Sequence, residues 1–199
     1  MKLHCTDAPE AYLAPCAIID FDHPAIQHKA AELRAAHADV LDLARASFEF
    51  VRDEIAHSWD ARQGPVTLKA SEVLCTGFGY CYAKSHLLAA LLRANGIATG
   101  LCYQRLSIGD RGEPCCLHGL NAILLPGFGW YRVDARGNKP GVSAAFAPPV
   151  ERLAFALQDG FEADFPQIHA RPLPAVVNAL SRAPDIFWLH AHLPDMAPP

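Results

Sequence analysis

Apolar residues recur along this chain at two different periods, and the change falls near residue 97. Before it the spacing is helical. Ile26, Ala30, Leu33 and His37 predict a first helix, opened at Asp22-His23-Pro24 because proline fits a first turn. His37 on that stripe reads as a packing or surface residue. Val40, Leu43, Ala44, Phe48, Val51 and Ile55 predict a second helix through about Ile55, with Asp39 as its cap. Arg52, Asp53 and Glu54 fall on its solvated side, and His57-Ser58-Trp59-Asp60 closes it. A loop over 60–68 is broken by Gly64-Pro65, and 70–74 makes one further turn capped by Ser71 or a neighbour. The densest helical signal follows Gly77-Phe78-Gly79-Tyr80. It begins near Cys81, buries Ala83, Leu87, Leu88, Leu91, Leu92 and Ala94, and stops at the Asn95-Gly96 cap.

After residue 97 the pattern becomes strand-like. Strands are expected over 98–106, 117–125 and 129–135, joined by a polar loop over 107–114 and a Pro126-Gly127-Phe128 turn. Helices first and an antiparallel sheet second make an α+β arrangement. A short strand over 17–20 is expected in the lead-in. Residues 138–199 are proline-rich and less periodic, with short helices expected over 150–156 and 175–180 and with Ile186-Phe187-Trp188-Leu189 packing back on the core. Pro198-Pro199 reads as frayed. The domain expectation is a helical part and core over 1–137, with 138–199 an extension of the same domain.

Composition narrows the classes. Of 199 residues, 51% are apolar and 19% charged, which fits a globular chain rather than a disordered one. A net charge of −4 gives no footprint for nucleic acid. No apolar run is long enough to span a membrane, and the stretch after Met1-Lys2 has no signal-peptide core, so a cytoplasmic protein is expected. The seven cysteines form no Cys-x-x-Cys pair and are expected to be free thiols. Cys115-Cys116-Leu117-His118 is a possible metal half-site without a second half, so no metal and no cofactor are expected.

The candidate chemistry centres on Cys81. Unpaired N–H groups and the helix dipole favour an anion at a helix N-terminus, and the thiolate is the nucleophilic form of cysteine. Gly77 and Gly79 would leave room for a substrate to approach. A thiol nucleophile needs a base that later protonates a leaving amine, and a third group to orient that base. His118 and Asp134 lie on the second and third strands. Placing them opposite one another centres the hairpin on Pro126, with a loop of residues 125–127 or 124–128, and puts both on one face. Trp59 could lend an indole N–H to an oxyanion but reads more simply as edge packing. Asn121 and Arg132 read as structural. His4, His23, His28, His86, His169, His190 and His192 have no such strand partner.

Gly79-Tyr80-Cys81, the helix end Leu91-Leu92-Arg93-Ala94-Asn95-Gly96-Ile97, and His118 followed by Pro126-Gly127-Phe128-Gly129-Trp130 and Asp134 together resemble the transglutaminase-like superfamily over about residues 40–137. The likeness is to its single-domain bacterial form, with a papain-like cysteine-protease core. It implies a Cys81 nucleophile, a His118 base and an Asp134 orienter acting on an amide or peptide substrate through a thioester. It also implies an oxyanion hole using the Cys81 N–H and a second donor, with Gly79, Tyr80, Trp59 and Asn121 as the neighbourhood to search. Leu120 stands where members often carry Trp, and Ala135-Arg136 where they often carry Pro-Thr. The calcium of animal transglutaminases is not expected, for want of an acidic loop. Two alternatives stand beside this reading. One is a non-catalytic protein-binding module that keeps the fold; the other is an acyl-CoA-dependent arylamine acetyltransferase.

Overall fold

The computed structural model describes residues 1–109, 112–158 and 160–197. In chain order the elements are β1 (His4–Cys5), α1 (Pro24–Ala36), α2 (Val40–Glu49), β2 (Ala56–His57), α3 (Ser58–Ala61), α4 (Ala70–Thr76) and β3 (Phe78–Gly79). They are followed by α5 (Cys81–Ala94), β4 (Thr99–Ser107), β5 (Cys115–Leu125), β6 (Gly129–Val133), β7 (Ala163–Asp164), β8 (Gln167–Ile168), α6 (Pro174–Arg182) and α7 (Ile186–Ala191). The main sheet has the order β6-β5-β4-β7 and is antiparallel throughout, so the α+β class is as expected. Among the described residues no helix is long and apolar enough to cross a membrane.

The α5 helix is the axis of the molecule. Every residue from 81 to 93 is buried, so the whole cylinder is enclosed rather than one stripe, the polar Lys84, Ser85, His86 and Arg93 included. It packs against α1, α2 and α4 on one side and β4 and β5 on the other. Asp39 caps α2 as expected, its carboxylate accepting from the Leu41 and Asp42 N–H groups. His23 caps α1, its ring accepting from Ala25 N.

Several local expectations give way to tertiary contacts. Residues 17–20 form no strand: Ile18 O accepts from Ala70 N, and the Asp20 carboxylate accepts from Ser71 N and Oγ, so the segment caps α4 instead. Ser71 is therefore inside α4, whose N-cap is Lys69. The second helix ends in a π-turn, Phe50–Glu54, and Arg52 leans back on Ala144 O. His57-Ser58-Trp59-Asp60 does not close that helix. It opens a new unit, in which β2 pairs in parallel with β3 and α3 follows. Residues 150–156 form no helix, because their polar groups are claimed elsewhere. Val150 O accepts from Tyr131 Oη, Glu151 holds Arg132, and Ala154 N reaches Asp134. Helix α6 covers the expected 175–180, and Ile186 and Leu189 of α7 are buried. Part of the 107–114 loop and the Pro198-Pro199 expectation lie outside the described residues.

The hairpin register also differs. Asn121 faces Val133 and Leu125 faces Gly129, two residues further along β6 than expected. The Phe128 N–H donates to Leu125 O, with Gly127 at φ 78° and Gly129 at φ 74°. The turn is therefore Pro126-Gly127 with Phe128 added, and a left-handed glycine opens β6. A slip of two keeps every side chain on its face.

Candidate active site

Cys81 is the first residue of α5, after Tyr80 in extended conformation. The approach to it is fixed by backbone pairing: His57 faces Gly79, and Ala56 N donates to Gly77 O. Gly79 is a packing requirement, not a substrate gap. A Cβ there would meet Lys84 Cγ at 3.1 Å and Val73 Cγ1 at 3.3 Å. Gly79 does not border the cleft, and neither does Asn121. The Asn121 amide is buried between α5 and β4, donating to Ser85 O at 3.0 Å and Gly100 O at 3.3 Å. Arg132 is held by Glu151 and Asp164.

His118 and Asp134 do meet. Nε2 of His118 lies 2.7 Å from Oδ2 of Asp134. They are not directly opposite, since His118 pairs with Gln104 on β4 and β6 ends at Val133. Asp134 is the diagonal neighbour two positions along, on the same face, which is within side-chain reach. The carboxylate is fully buried and accepts from Arg136 N and Ala154 N as well. Burial alone would raise its pKa, but the His118 charge and these hydrogen bonds hold it below the ordinary carboxylate value. Burial likewise works against the His118 imidazolium. The Asp134 and Cys81 charges, and hydrogen bonds to both, outweigh it and lift the pKa to about 10. With Nε2 on Asp134, Nδ1 is the nitrogen left for the Cys81 sulfur. The Phe155 ring meets the imidazole edge-on at 5.1 Å and covers it.

Cys81, His118 and Phe155 border a cavity of about 740 Å³, with Asp134 buried behind the imidazole. Tyr80 and Trp59 both line it. The Trp59 indole stacks on His190 at 3.4 Å, with the Arg62 guanidinium 3.7 Å from its ring, and the Tyr80 hydroxyl lies 3.0 Å from His190 Nδ1. His57 also lines the cavity. Burial first, then the Arg136 charge, pushes its pKa well below the ordinary 6.5, so the imidazole is neutral at physiological pH. Its Nδ1 is 3.6 Å from Asp60 Oδ2, and that carboxylate is taken by Arg136 at 2.6 and 3.0 Å and by Lys139 at 2.7 Å. Burial opposes the Asp60 charge, but those cations bring its pKa down to about 2.

Sequence reasoning passed over His57, Phe155 and His190 as parts of this wall, and Asp60 as the anchor of its Arg136 and Lys139. Arg136 was visible only as a departure from the family's Pro-Thr. No short-range signal marks the rest, because their places depend on β2 pairing with β3 and on α7 packing against α3. Among the described residues, no group of three or more His, Cys, Asp or Glu side chains is placed to hold a metal ion.

Among solved structures, a cysteine-protease candidate from Cytophaga hutchinsonii aligns at 17% identity and a TM-score of 0.53, covering 64% of this chain and 42% of its own. The periplasmic domain of TgpA from Pseudomonas aeruginosa aligns at 23% identity and a TM-score of 0.49, covering 65% of this chain and 48% of its own. This chain thus spans less than half the length of either. No curated protein matches the sequence. The family model of the transglutaminase-like superfamily matches residues 27–135, more than half of the chain and the stretch that carries Cys81, His118 and Asp134. By that match the chain belongs to the transglutaminase-like superfamily.

Proposed function

We propose that the protein is a cysteine-dependent acyl-transfer enzyme acting on amide or peptide bonds, with Cys81 as nucleophile, His118 as proton carrier and Asp134 as orienting group. Membership of the superfamily supports the cysteine-dependent class. The observation that carries the finer reading is the 2.7 Å contact of Asp134 with His118, which lines one cavity together with Cys81 at the head of α5. Cys81 and His118 act as a thiolate–imidazolium pair. The thiolate attacks the substrate carbonyl carbon. The oxyanion forms near the unpaired N–H groups of the first turn of α5, that of Cys81 among them. His118 gives its proton to the leaving amine as the C–N bond breaks, and a thioester remains on Cys81. Water or an amine then attacks the thioester, losing its proton to His118, and the thiolate leaves. Asp134 keeps the imidazole in the tautomer this sequence needs. Tyr80 and Trp59 line the same cavity, which supports a part for them in touching substrate.

The test is alkylation at pH 6, where an ordinary thiol is almost wholly protonated. Iodoacetamide is expected to modify Cys81 about tenfold faster than the exposed Cys5 and Cys75. His118→Ala should remove the difference. Equal labelling of all accessible cysteines, read by peptide mass spectrometry, would sink the activated nucleophile and favour a binding module.

A further inference from the structure

Strand β5 has an open edge beside the candidate nucleophile. On the side away from β4, it pairs with β6 only from Leu125 back to Asn121. From residue 120 back to 115 no strand lies there among the described residues. The backbone of Leu117, next to His118, points out along this edge. Its carbonyl accepts from the Tyr82 hydroxyl, one residue beyond Cys81 on α5. Its N–H donates to Pro194 O at 2.7 Å.

Pro194 belongs to a strap made of the last turn of α7 and the residues after it. Its contacts run in sequence order across the cleft. His190 stacks on Trp59 and meets Tyr80. Leu193 lines the cavity with Cys81. Pro194 takes the edge N–H. Asp195 then grips Arg105, the cross-strand partner of Leu117, with two bonds of 2.8 and 2.7 Å. A side chain in the cavity, a carbonyl on the strand edge and a charged anchor beyond is how an extended peptide adds to a sheet.

We propose that residues 190–195 are a built-in occupant of a polypeptide-binding edge. The strap holds the place of an extended substrate whose own carbonyl would take the Leu117 N–H. This deepens the catalytic reading above and rests on it: the substrate class is an extended polypeptide, recognised through its backbone, and a small amide has no need of the edge. The strap is built to yield. Its carboxylate is about a third exposed, so the clamp is screened by salt. Arg105 keeps partners when Asp195 leaves, since Phe161 O lies 2.8 Å from Nη1 and Glu113 lies 3.6 Å from Nη2.

The test compares two reagents on Cys81 in the full chain, in Asp195→Ala and in a chain cut after Ala191. One reagent is iodoacetamide; the other is a flexible Gly-Ser-Ala decapeptide with an iodoacetyl group at its N-terminus. Releasing the clamp should speed the peptide reagent by about three- to tenfold and iodoacetamide by less than about twofold. Hydrogen exchange at the Leu117 amide should quicken with it. The cut chain, which lacks the clamp and the Pro194 carbonyl outright, should show at least the same change. A peptide reagent that gains nothing in the cut chain, or no more than iodoacetamide gains, overturns the strap. Slow iodoacetamide labelling of Cys81 in the unaltered chain counts against the nucleophile instead, and the ratio of the two reagents still decides the strap.

Discussion

Burial works against the His118 proton, and the Asp134 carboxylate and the Cys81 sulfur outweigh it. The imidazolium is therefore present at and below neutral pH and is lost as pH rises through about 10. Acyl transfer that needs this proton for the leaving amine should fall with an alkaline limb near pH 10. Asp134→Asn removes the charge that contributes most to the rise, and should move that limb down by about 1–3 pH units. A pH–rate profile of both forms, read on Cys81 alkylation or amide turnover, checks this; an unmoved limb means Asp134 does not set the pKa. The same shift bears on stability. The folded pKa lies above the ordinary 6.5, so the stabilisation is complete below about 6.5 and is lost as pH passes through about 10. At this scale the three central residues were legible, because a helix head and two facing strands are local patterns. His190 was not, because nothing around it in sequence shows that its ring lies on Trp59.

Helix α5 and the π-turn before β2 are joined by one buried side chain. Lys84 is fully buried on α5, and its ammonium donates to Arg52 O at 3.2 Å and to Ile55 O. A π-turn leaves carbonyls that the regular helix would have satisfied, and Lys84 supplies the donors. Burial, then the Arg136 charge, brings its pKa down to about 7. Because the unfolded chain binds this proton more readily, the group's contribution to stability rises from about pH 7 to the ordinary 10.5. Lys84→Ala leaves two carbonyls and a void, and should cost about 2–4 kcal/mol in chemical denaturation. A loss under about 1 kcal/mol would show the turn to be self-sufficient. The helical period placed α2 and α5 well. It missed the π-turn, since the same apolar stripe serves either winding and the side chain that meets the freed carbonyls, Lys84, comes from α5.

At the scale of the molecule, residues beyond 137 are part of the core that the earlier helices build. Phe146, Ala154, Phe165, Val176, Leu180 and Leu189 share one buried cluster with α1, α2 and α5. Arg93 binds the parts together. From the end of α5 it donates to Thr99 O at 2.9 and 2.7 Å, to Ala14 O at 2.9 Å in the lead-in and to Ala170 O at 2.8 Å in the extension. Burial lowers its pKa to about 10, still above neutral, so the charge persists inside. Arg93→Ala should cost about 2–4 kcal/mol and loosen the lead-in and the extension together. Hydrogen exchange in which only one of them loosens would show that the two are held independently.

Short-range chemistry alone settles part of this molecule. A cysteine stands at the head of a helix that ends at Asn95-Gly96, Pro126-Gly127 turns one strand into the next, and alternation keeps His118 and Asp134 on one face. Each of these is settled within a few residues by caps, turn conformations and a period of two. Contacts between distant residues set the slip of the strands by two, bring Ala154 onto Asp134, fix the approach to Cys81 through β2, and carry Pro194 to β5. Those outcomes rest on hydrogen bonds and ring contacts between residues far apart in sequence, to which no local pattern is sensitive.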